Sequence, residues 1–358
     1  MDQSRPRPAF TAEAYGQRGA ALLKSLWWTA ASATAQRLAP HEDKPVDSRH
    51  PRPSRAEIRR AYAEPFLMEQ ADVAAGLYPA LDTPRPSLRA LERLADLVSD
   101  ARAVEARRRR GGATEARATA GSDAYPAYYR QNFHFQSGGW FTEDSARRYE
   151  DQVEALFAGS AAAMRRRALA LLARAWRGRD HRGLRVLDLA CGSGAFLGDL
   201  RAAFPRAQLC GVDLSPAYLA ETRRRSGVAA LAQAPAERLP FADASLDAVT
   251  CVYLFHELPP RVRPAVAAEI ARVLKPGGLL AFADSVQHRD EPGLARMLDA
   301  FPVFFHEPYF ASYQAADLPA LFGEAGLTVQ ASDKAFLTKA LLFQKLPSSS
   351  GGAQRSEA

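Results

Sequence analysis

The chain of 358 residues has only three cysteines, and no apolar run reaches the ~20 residues that a membrane-spanning helix needs. Cys191, Cys210 and Cys251 lie far apart, so they form neither the paired spacing of a zinc site nor a disulfide framework. Free thiols are typical of a reducing compartment. We therefore expect a cytoplasmic protein, and the cysteine pattern predicts no metal site.

Acidic residues are outnumbered only in the first half of the chain. Residues 1–182 contain 30 Lys and Arg against 22 Asp and Glu, whereas residues 183–358 contain 17 against 18. The densest basic run is Arg107 to Arg110, followed by two glycines. Such a run could contact nucleic acid or an anionic membrane surface. No aromatic residue interrupts it, so we favour a solvated, flexible linker, and nucleic acid is not the predicted substrate.

The first 122 residues are predicted to form a helical, partly disordered extension. Residues 1–40 are rich in Ala and Arg, and their Leu and Trp residues fit an amphipathic helix; an organelle transit peptide is the alternative. A proline-rich linker at 41–55 precedes helical periodicity at 55–68 and 86–105. Residues 106–122 are predicted to be a loose or disordered loop.

Residues 123–182 contain a cluster of aromatic side chains followed by two predicted helices. One helix begins with the polar residues after Phe141, and the other covers about residues 161–175. The aromatic residues either form a lid over a binding pocket or pack the extension against the following domain. We give both alternatives equal weight.

The most informative stretch is residues 184–197. An apolar run predicts a buried strand that breaks at Asp188; Gly192 and Gly194 then predict a tight turn before a helix. Glycine allows ligand atoms to approach the backbone. A dinucleotide-binding loop would have a third glycine where Leu197 stands, and Asp188 would repel a pyrophosphate. A nicotinamide-dependent oxidoreductase is therefore disfavoured, and a ligand with a positive end is favoured.

Three further stretches follow in order. Asp213 stands at the end of a second predicted strand, where a carboxylate can accept both hydroxyl hydrogens of a ribose, although an Asp there can also cap a helix. Residues 236–241 precede the apolar run 249–255. Residues 271–280 predict a helix that Pro and Gly end before another strand.

In this order and spacing, the four stretches resemble the class I S-adenosylmethionine-dependent methyltransferases, in particular their small-molecule, type 11 branch. The resemblance covers about residues 183–345. It implies an α/β fold: a Rossmann-like, seven-stranded, mostly parallel sheet with helices on both faces and an antiparallel C-terminal hairpin. The domain would occupy residues 183–346 and precede a disordered tail at 347–358.

The resemblance also implies a set of residues that bind S-adenosylmethionine. The amino-acid end would lie on Asp188 and the glycine loop, the ribose on the Asp213 turn, the adenine along the next turn, and the methyl group near the fourth strand. The residues concerned are Asp188, Ala190, Cys191, Gly192, Gly194, Asp213, Leu214, Ala236, Glu237 and Tyr253. Ala190 and Pro235 depart from the pattern; the first change is minor if the backbone there is ordinary, and the second removes one adenine contact.

Methyl transfer requires a nucleophile in line with the methyl group and the sulfur, so positioning can supply ~7–11 kcal/mol of the barrier. A hydroxyl, phenol or ammonium acceptor also needs a base. His256 and Glu257 follow the fourth strand, where open α/β sheets bind ligands, and are the first candidates. His256 could instead orient the following helix. His306 is the second candidate, together with the neighbouring Glu307.

Aromatic residues on both sides of the domain are candidates for the acceptor wall, although residues of this kind more often form an ordinary core. They are Tyr129, Phe133, Trp140, Phe305, Tyr309 and Tyr313. The predicted function is methyl transfer to a small molecule, either a quinone or lipid or a polar metabolite. A non-catalytic protein that binds the cofactor is the main alternative. Weak contact with a membrane surface through the basic half stays open, and the sequence indicates no oligomeric state.

Overall fold

The computed structural model describes residues 12–38, 40, 44–81, 88–119 and 125–347. Seven strands form one sheet in the order β3-β2-β1-β4-β5-β7-β6. The strands are β1 Arg185–Leu189, β2 Gln208–Asp213, β3 Leu231–Gln233, β4 Leu246–Val252, β5 Leu274–Ser285, β6 Leu327–Ala335 and β7 Thr338–Lys345. Strands β1 to β5 are parallel, and β7 runs antiparallel to both β5 and β6. The predicted α/β fold with a C-terminal hairpin is confirmed.

Helices cover both faces of this sheet. The helices after residue 160 are α6 Ala161–Ala175, α7 Ala195–Ala203, α8 Pro216–Ser226, α9 Arg263–Val273, α10 Ala295–Phe304, α11 Phe310–Gln314 and α12 Leu318–Glu324. Side chains alternate between faces along a strand. Leu187 accordingly packs in one core with α9 and α12, while its neighbour Val186 packs in another with α6 and α7.

Strand β1 extends further than the sequence predicts. Asp188 was expected to end the strand, but it pairs with Gly211 of β2 and Thr250 of β4 inside the sheet. Because both neighbouring strands continue past this position, β1 ends only at Leu189. The carboxylate of Asp188 therefore points from the sheet itself and not from the loop.

The extension before the sheet consists of helices joined by irregular segments. Its helices are α1 Ala12–Leu38, α2 Arg55–Ala74, α3 Leu88–Arg110, α4 Ala116–Thr119 and α5 Glu143–Leu156. Residues 12–38 of the segment 1–40 form a helix, residues 1–11 lie outside the described ones, and the choice between a plain helix and a transit peptide stays a prediction. Helix α2 is fixed to α6 because the buried Asp72 pairs with Arg167 and Arg174. The tail from 348 also lies outside the described residues.

The arginine run is not a flexible linker: the loop prediction is wrong for residues 106–110 and 116–119, which are helical, whereas residues 111–115 form a turn and a short loop. All four arginines belong to α3. Arg107 pairs with Glu115 at 2.7 Å, and Arg108 pairs with Glu105 and donates to the backbone oxygen of Phe304 at 2.7 Å. Burial of Arg107 and Arg108 against these acceptors holds the helix in place. Residues 120–122 of the predicted loop are not described.

Over the described ranges, which omit residues 1–11 among others, none of the helices is both long enough and apolar enough to pass through a membrane.

Candidate active site

A cleft with an empty volume of about 920 Å³ opens at the carboxyl ends of β1, β2 and β4. Open parallel sheets bind ligands at this edge. It brings together seven of the predicted cofactor residues, which are Asp188, Ala190, Cys191, Gly192, Asp213 and Tyr253 in its wall and Gly194 in the same loop.

The loop after β1 requires glycine at one position and tolerates alanine under strain at another. Gly194 has φ of 78°, and a Cβ there would lie 2.7 Å from the Cα of Thr222 in α8, so helix α7 can begin only after a glycine. Ala190 has φ of 55°. The backbone at Ala190 is therefore left-handed and not ordinary. In this conformation an alanine is less favourable than a glycine by about 1–2 kcal/mol.

Asp188 is a buried carboxylate with one unused oxygen. Its Oδ1 accepts a hydrogen bond from Thr250 Oγ1 at 2.7 Å, and its Oδ2 has no partner. Burial raises the pKa of Asp188 to about 7, against the opposing effect of the Thr250 hydrogen bond. A cation that reached Oδ2 would satisfy this oxygen and stabilise the charged form.

Asp213 holds the loop and the turn after β2 together. Its Oδ2 accepts from the backbone N–H of Gly192 at 2.9 Å, and its Oδ1 accepts from that of Ser215 at 2.8 Å. The cap of α8 is Ser215, whose side chain accepts from the N–H of Tyr218, so Asp213 does not cap that helix. Burial raises the pKa of Asp213, and backbone hydrogen bonds oppose the rise.

Besides Gly194, three predicted cofactor residues lie outside the wall of the cleft: Leu214, Ala236 and Glu237. Glu237 accepts a hydrogen bond at 2.8 Å from the hydroxyl of Tyr128, which does line the cleft. The turn that was predicted to lie along the adenine is thus linked to the cleft through an aromatic residue of the preceding segment.

The Cys191 thiol is buried, which raises its pKa well above the usual range and agrees with a packing role.

Sequence reasoning missed a polar chain from the two lead-in helices. Glu150 of α5 accepts hydrogen bonds from Arg165 of α6 and from the Ser193 hydroxyl, both at 2.7 Å. Glu150, Arg165 and Ser193 line the cleft beside Asp188. Nothing local marks these residues, because their side chains meet only when α5 and α6 fold over the glycine loop.

A second cavity, with an empty volume of about 630 Å³, adjoins the cleft and shares Tyr149, Tyr253 and Glu257 with it. Its remaining wall is mainly apolar. The other lining residues are His134, Val153, Leu156, Phe157, Met164, His256, Ser285, Leu298, Phe301, Phe310 and Leu337. The geometry thus provides a polar chamber and an apolar chamber that meet at three side chains.

Glu257 lies at this meeting point, and His256 lines the second cavity beside it. The Nδ1 atom of His256 is 2.6 Å from Asp284 at the end of β5. Burial alone would lower the pKa of His256, but Asp284 raises it to about 9. Burial, with the nearby charge of Glu307, raises the pKa of Glu257 to about 7. Whether either side chain is catalytic stays a prediction.

The third candidate, His306, lies outside both chambers. Its Nε2 is 2.7 Å from the side-chain oxygen of Gln131. Its neighbour Glu307 and the unpredicted His134 face Glu257 instead. His134 belongs to a single 3-10 turn and has φ of 54°, a conformation that non-glycine residues seldom adopt.

The aromatic residues predicted for the acceptor wall are dispersed. Tyr129, Phe133 and Trp140 line the polar cleft, whereas Phe305 lines a separate groove beside α3 and α5. Tyr309 lines neither chamber. Tyr313 is fully buried in the core, where its hydroxyl donates to the backbone oxygen of Ser285 at 2.6 Å. The apolar chamber uses Phe301 and Phe310 in their place.

Comparison with known proteins gives a consistent result. A family model described as a methyltransferase domain matches residues 186–278. An uncharacterized methyltransferase of Synechocystis is 33% identical over 41% of this chain and 68% of its own length. A demethylmenaquinone methyltransferase of Beutenbergia cavernae is 39% identical over 40% of this chain and 55% of its own length. A fatty-acid O-methyltransferase of Mycolicibacterium smegmatis is 37% identical over 35% and 45%.

The chain spans about half the length of the demethylmenaquinone methyltransferase and of the fatty-acid O-methyltransferase. The matched region contains β1 to β4 and the glycine loop, which form the sheet side of the cleft. With the sheet order and the sequence motifs, these matches show that the chain belongs to the class I S-adenosylmethionine-dependent methyltransferase family.

Proposed function

We propose that the chain transfers a methyl group from S-adenosylmethionine to a small apolar acceptor. The observation that carries the proposal is the junction of the two chambers at Tyr149, Tyr253 and Glu257. One chamber has buried charges for a zwitterionic ligand, and the other combines a mainly apolar wall with His134, His256 and Glu257 on one side. Such a division is what a reaction between a charged cofactor and an apolar partner requires.

The residues of the cleft fit the cofactor. The unused Oδ2 of Asp188 suits its ammonium group, and the guanidinium of Arg165 with the N–H groups of the glycine loop suits its carboxylate. Asp213 is placed to accept from the ribose hydroxyls. When bound, this cofactor supplies a methyl group on a positively charged sulfur, which a nucleophile can displace.

The chain's own residues would mainly orient the reactants and exclude water. Tyr149 and Tyr253 form the wall at the junction, and Glu257 is the ionisable side chain that reaches both chambers. Alignment of the acceptor with the methyl group can account for ~7–11 kcal/mol of the barrier. Contact between Glu257 and the acceptor would orient its nucleophilic atom toward the junction.

The apolar chamber supports a quinone-like or lipid-like acceptor over a polar metabolite. Val153, Leu298, Phe301 and Phe310 offer aliphatic and aromatic contacts to such an acceptor. The names of two relatives, a demethylmenaquinone methyltransferase and a fatty-acid O-methyltransferase, point in the same direction. The three unpaired cysteines support a cytoplasmic location.

The test is incubation of the protein with methyl-labelled cofactor and three acceptors: a demethylated quinol, a long-chain fatty acid and a polar amine. We expect label in the quinol or the fatty acid and none in the amine. A Leu298→Trp variant, which fills the apolar chamber, should lose transfer but keep cofactor binding. The same incubation is repeated with a metabolite extract as the source of acceptors. If the protein binds the cofactor but labels no acceptor in either experiment, the non-catalytic alternative is favoured.

A further inference from the structure

We propose that His134, His256, Glu257 and Glu307 bind one divalent transition-metal ion of the zinc class, beside the second cavity, whose wall contains the first three of them. One ligand atom from each of these residues lies within 4.8 Å of every other. The four come from three separate parts of the chain: the turn before α5, the end of β4 and the loop before α11. Their convergence in a buried position is thus a product of the tertiary fold.

The spacing fits a single ion. Nε2 of His134 and Nε2 of His256 each lie 3.6 Å from Oε1 of Glu257, and His134 also contacts Glu307. Tetrahedral zinc with bonds of about 2.0–2.2 Å separates its ligand atoms by about 3.4 Å. Two nitrogen and two oxygen ligands are a set that zinc and its neighbours accept.

Unsatisfied atoms point to a missing cation. The side chain of Glu307 is completely buried, and its Oε2 has no hydrogen-bond partner; the Oε2 of Glu257 has none either. Burial of two neighbouring carboxylates that lack hydrogen-bond donors for some of their oxygens costs free energy of folding. A divalent ion would neutralise both and satisfy their free oxygens.

His256 is oriented as metal-binding histidines are. Its Nδ1 faces Asp284 at 2.6 Å, so a hydrogen bond to this carboxylate leaves the lone pair on Nε2 directed at the cluster. The left-handed backbone of His134, with φ of 54°, is a strained conformation that also occurs at ligand-binding positions.

The described part of the chain contains one other group with metal-ligand potential: His50, His288 and Asp299. All three are partly exposed, and Nε2 of His288 already pairs with Asp299 at 2.8 Å. This second group therefore serves as the internal control. His306, which contacts Gln131 and not the cluster, is a further control beside the site.

The experiment is titration of the full-length protein, after treatment with a chelator, with Co²⁺ as a spectroscopic probe and with Zn²⁺ as a competitor. We expect one Co²⁺ per chain, with visible absorption bands that Zn²⁺ abolishes. Glu307→Gln and His134→Asn should each weaken binding by more than about 100-fold, beyond the effect of an outer-sphere change. Asparagine is chosen because it tolerates φ above zero. His288→Asn and His306→Asn should bind like the original protein.

Thermal unfolding separates loss of the site from loss of the fold. Saturating Zn²⁺ should raise the Tm of the original protein and of His288→Asn by about 3 °C or more, and should not change that of Glu307→Gln. Absence of stoichiometric binding, binding that survives in both cluster variants, or binding lost in His288→Asn would each overturn the proposal.

Binding of this ion does not rest on the proposed function. The titrations need neither the cofactor nor an acceptor. A protein that binds Co²⁺ at the cluster but transfers no methyl group would support the site and refute the methyltransferase proposal. A metal-free protein that transfers methyl groups would do the opposite.

Discussion

The Nδ1 atom of His256 lies 2.6 Å from Oδ1 of Asp284, and both side chains are buried at the carboxyl edge of the sheet. Asp284 also accepts from the backbone N–H of Phe255 at 2.9 Å. One carboxylate at the end of β5 therefore fixes both the ring and the backbone of the segment after β4. This pair links the fold of the sheet to the geometry of the chamber junction.

Replacement of Asp284 should reduce turnover more than it reduces binding of the cofactor. In Asp284→Asn the imidazole of His256 loses its charged partner, and we expect kcat to fall by about 10- to 100-fold. Asp247→Asn is the control, because Asp247 pairs with Lys275 at the start of β4. Steady-state kinetics with calorimetric binding would check this, and equal losses in both variants would contradict it.

Asp213 and His256 should have separable roles. Asp213→Ala removes two backbone hydrogen bonds and the proposed ribose acceptor, so we expect S-adenosylmethionine to bind at least about 100-fold more weakly. His256→Ala should bind it almost normally and lose turnover. Calorimetric titration of both variants tests the assignment. Unchanged affinity in Asp213→Ala would remove Asp213 from the cofactor site.

Asp188 should make stability depend on pH in the cofactor-free protein. Its pKa is about 7 in the fold, above the ordinary 3.8, so the folded state holds this proton more tightly than the unfolded state. Its contribution to the free energy of unfolding is therefore present at low pH and falls as pH rises from about 4 to about 7, by at most about 1.4 kcal/mol per pH unit. Cofactor affinity should rise over the same window, because an ammonium group favours the charged carboxylate.

Urea unfolding at about pH 5 and about pH 7 would measure this effect by comparison with Asp188→Asn, which has no charge to bury. The variant should show a smaller change between the two pH values than the original protein. If both lose equal stability, Asp188 is not the group responsible.

Ala190→Gly should not destabilise the protein. The left-handed backbone at Ala190 costs about 1–2 kcal/mol, which glycine avoids, although it loses about 0.5–1 kcal/mol through unfolded-state entropy. We expect a gain between zero and about 1 kcal/mol in the free energy of unfolding. Ala202→Gly, in the exposed last turn of α7, is the matched control and should lose up to about 1 kcal/mol. A larger loss at Ala190 than at Ala202 would contradict the strain argument.

The anchor between the extension and the domain should be strongly stabilising. Asp72→Ala leaves Arg167, which is completely buried, without its closest carboxylate. We expect a loss of about 3–5 kcal/mol in the free energy of unfolding. Asp180→Ala removes an exposed pair with Arg182 and should leave the free energy of unfolding nearly unchanged. Denaturant unfolding of both variants provides the comparison.

The sequence predicts those features whose determinants lie close together along the chain. Asp188, Gly194 and Asp213 belong to short motifs at strand ends, so the family resemblance and the sheet side of the cleft could be recognised from local patterns. Glu307 and His134 are far apart in sequence, and only the path of the loops brings them to Glu257. No periodicity or motif encodes such a meeting.

The same limit explains the wrong prediction for the arginine run. A tract with four consecutive arginines is usually solvated, but Glu105 and Glu115 lie where α3 can bury Arg107 and Arg108 against them. The aromatic residues show the same limit of prediction from sequence. Tyr313 and Phe310 are close in sequence, but only Phe310 faces the apolar chamber. Helix phase, and not composition, decides between core and cavity.

The most direct test of the central claim is a crystal structure of the protein with S-adenosylhomocysteine. We predict the ammonium group at Oδ2 of Asp188, the ribose at Asp213, and the sulfur directed at the junction formed by Tyr149, Tyr253 and Glu257. A ligand that lies elsewhere, or one whose sulfur faces away from the apolar chamber, would contradict the proposal that methyl groups pass from one chamber to the other.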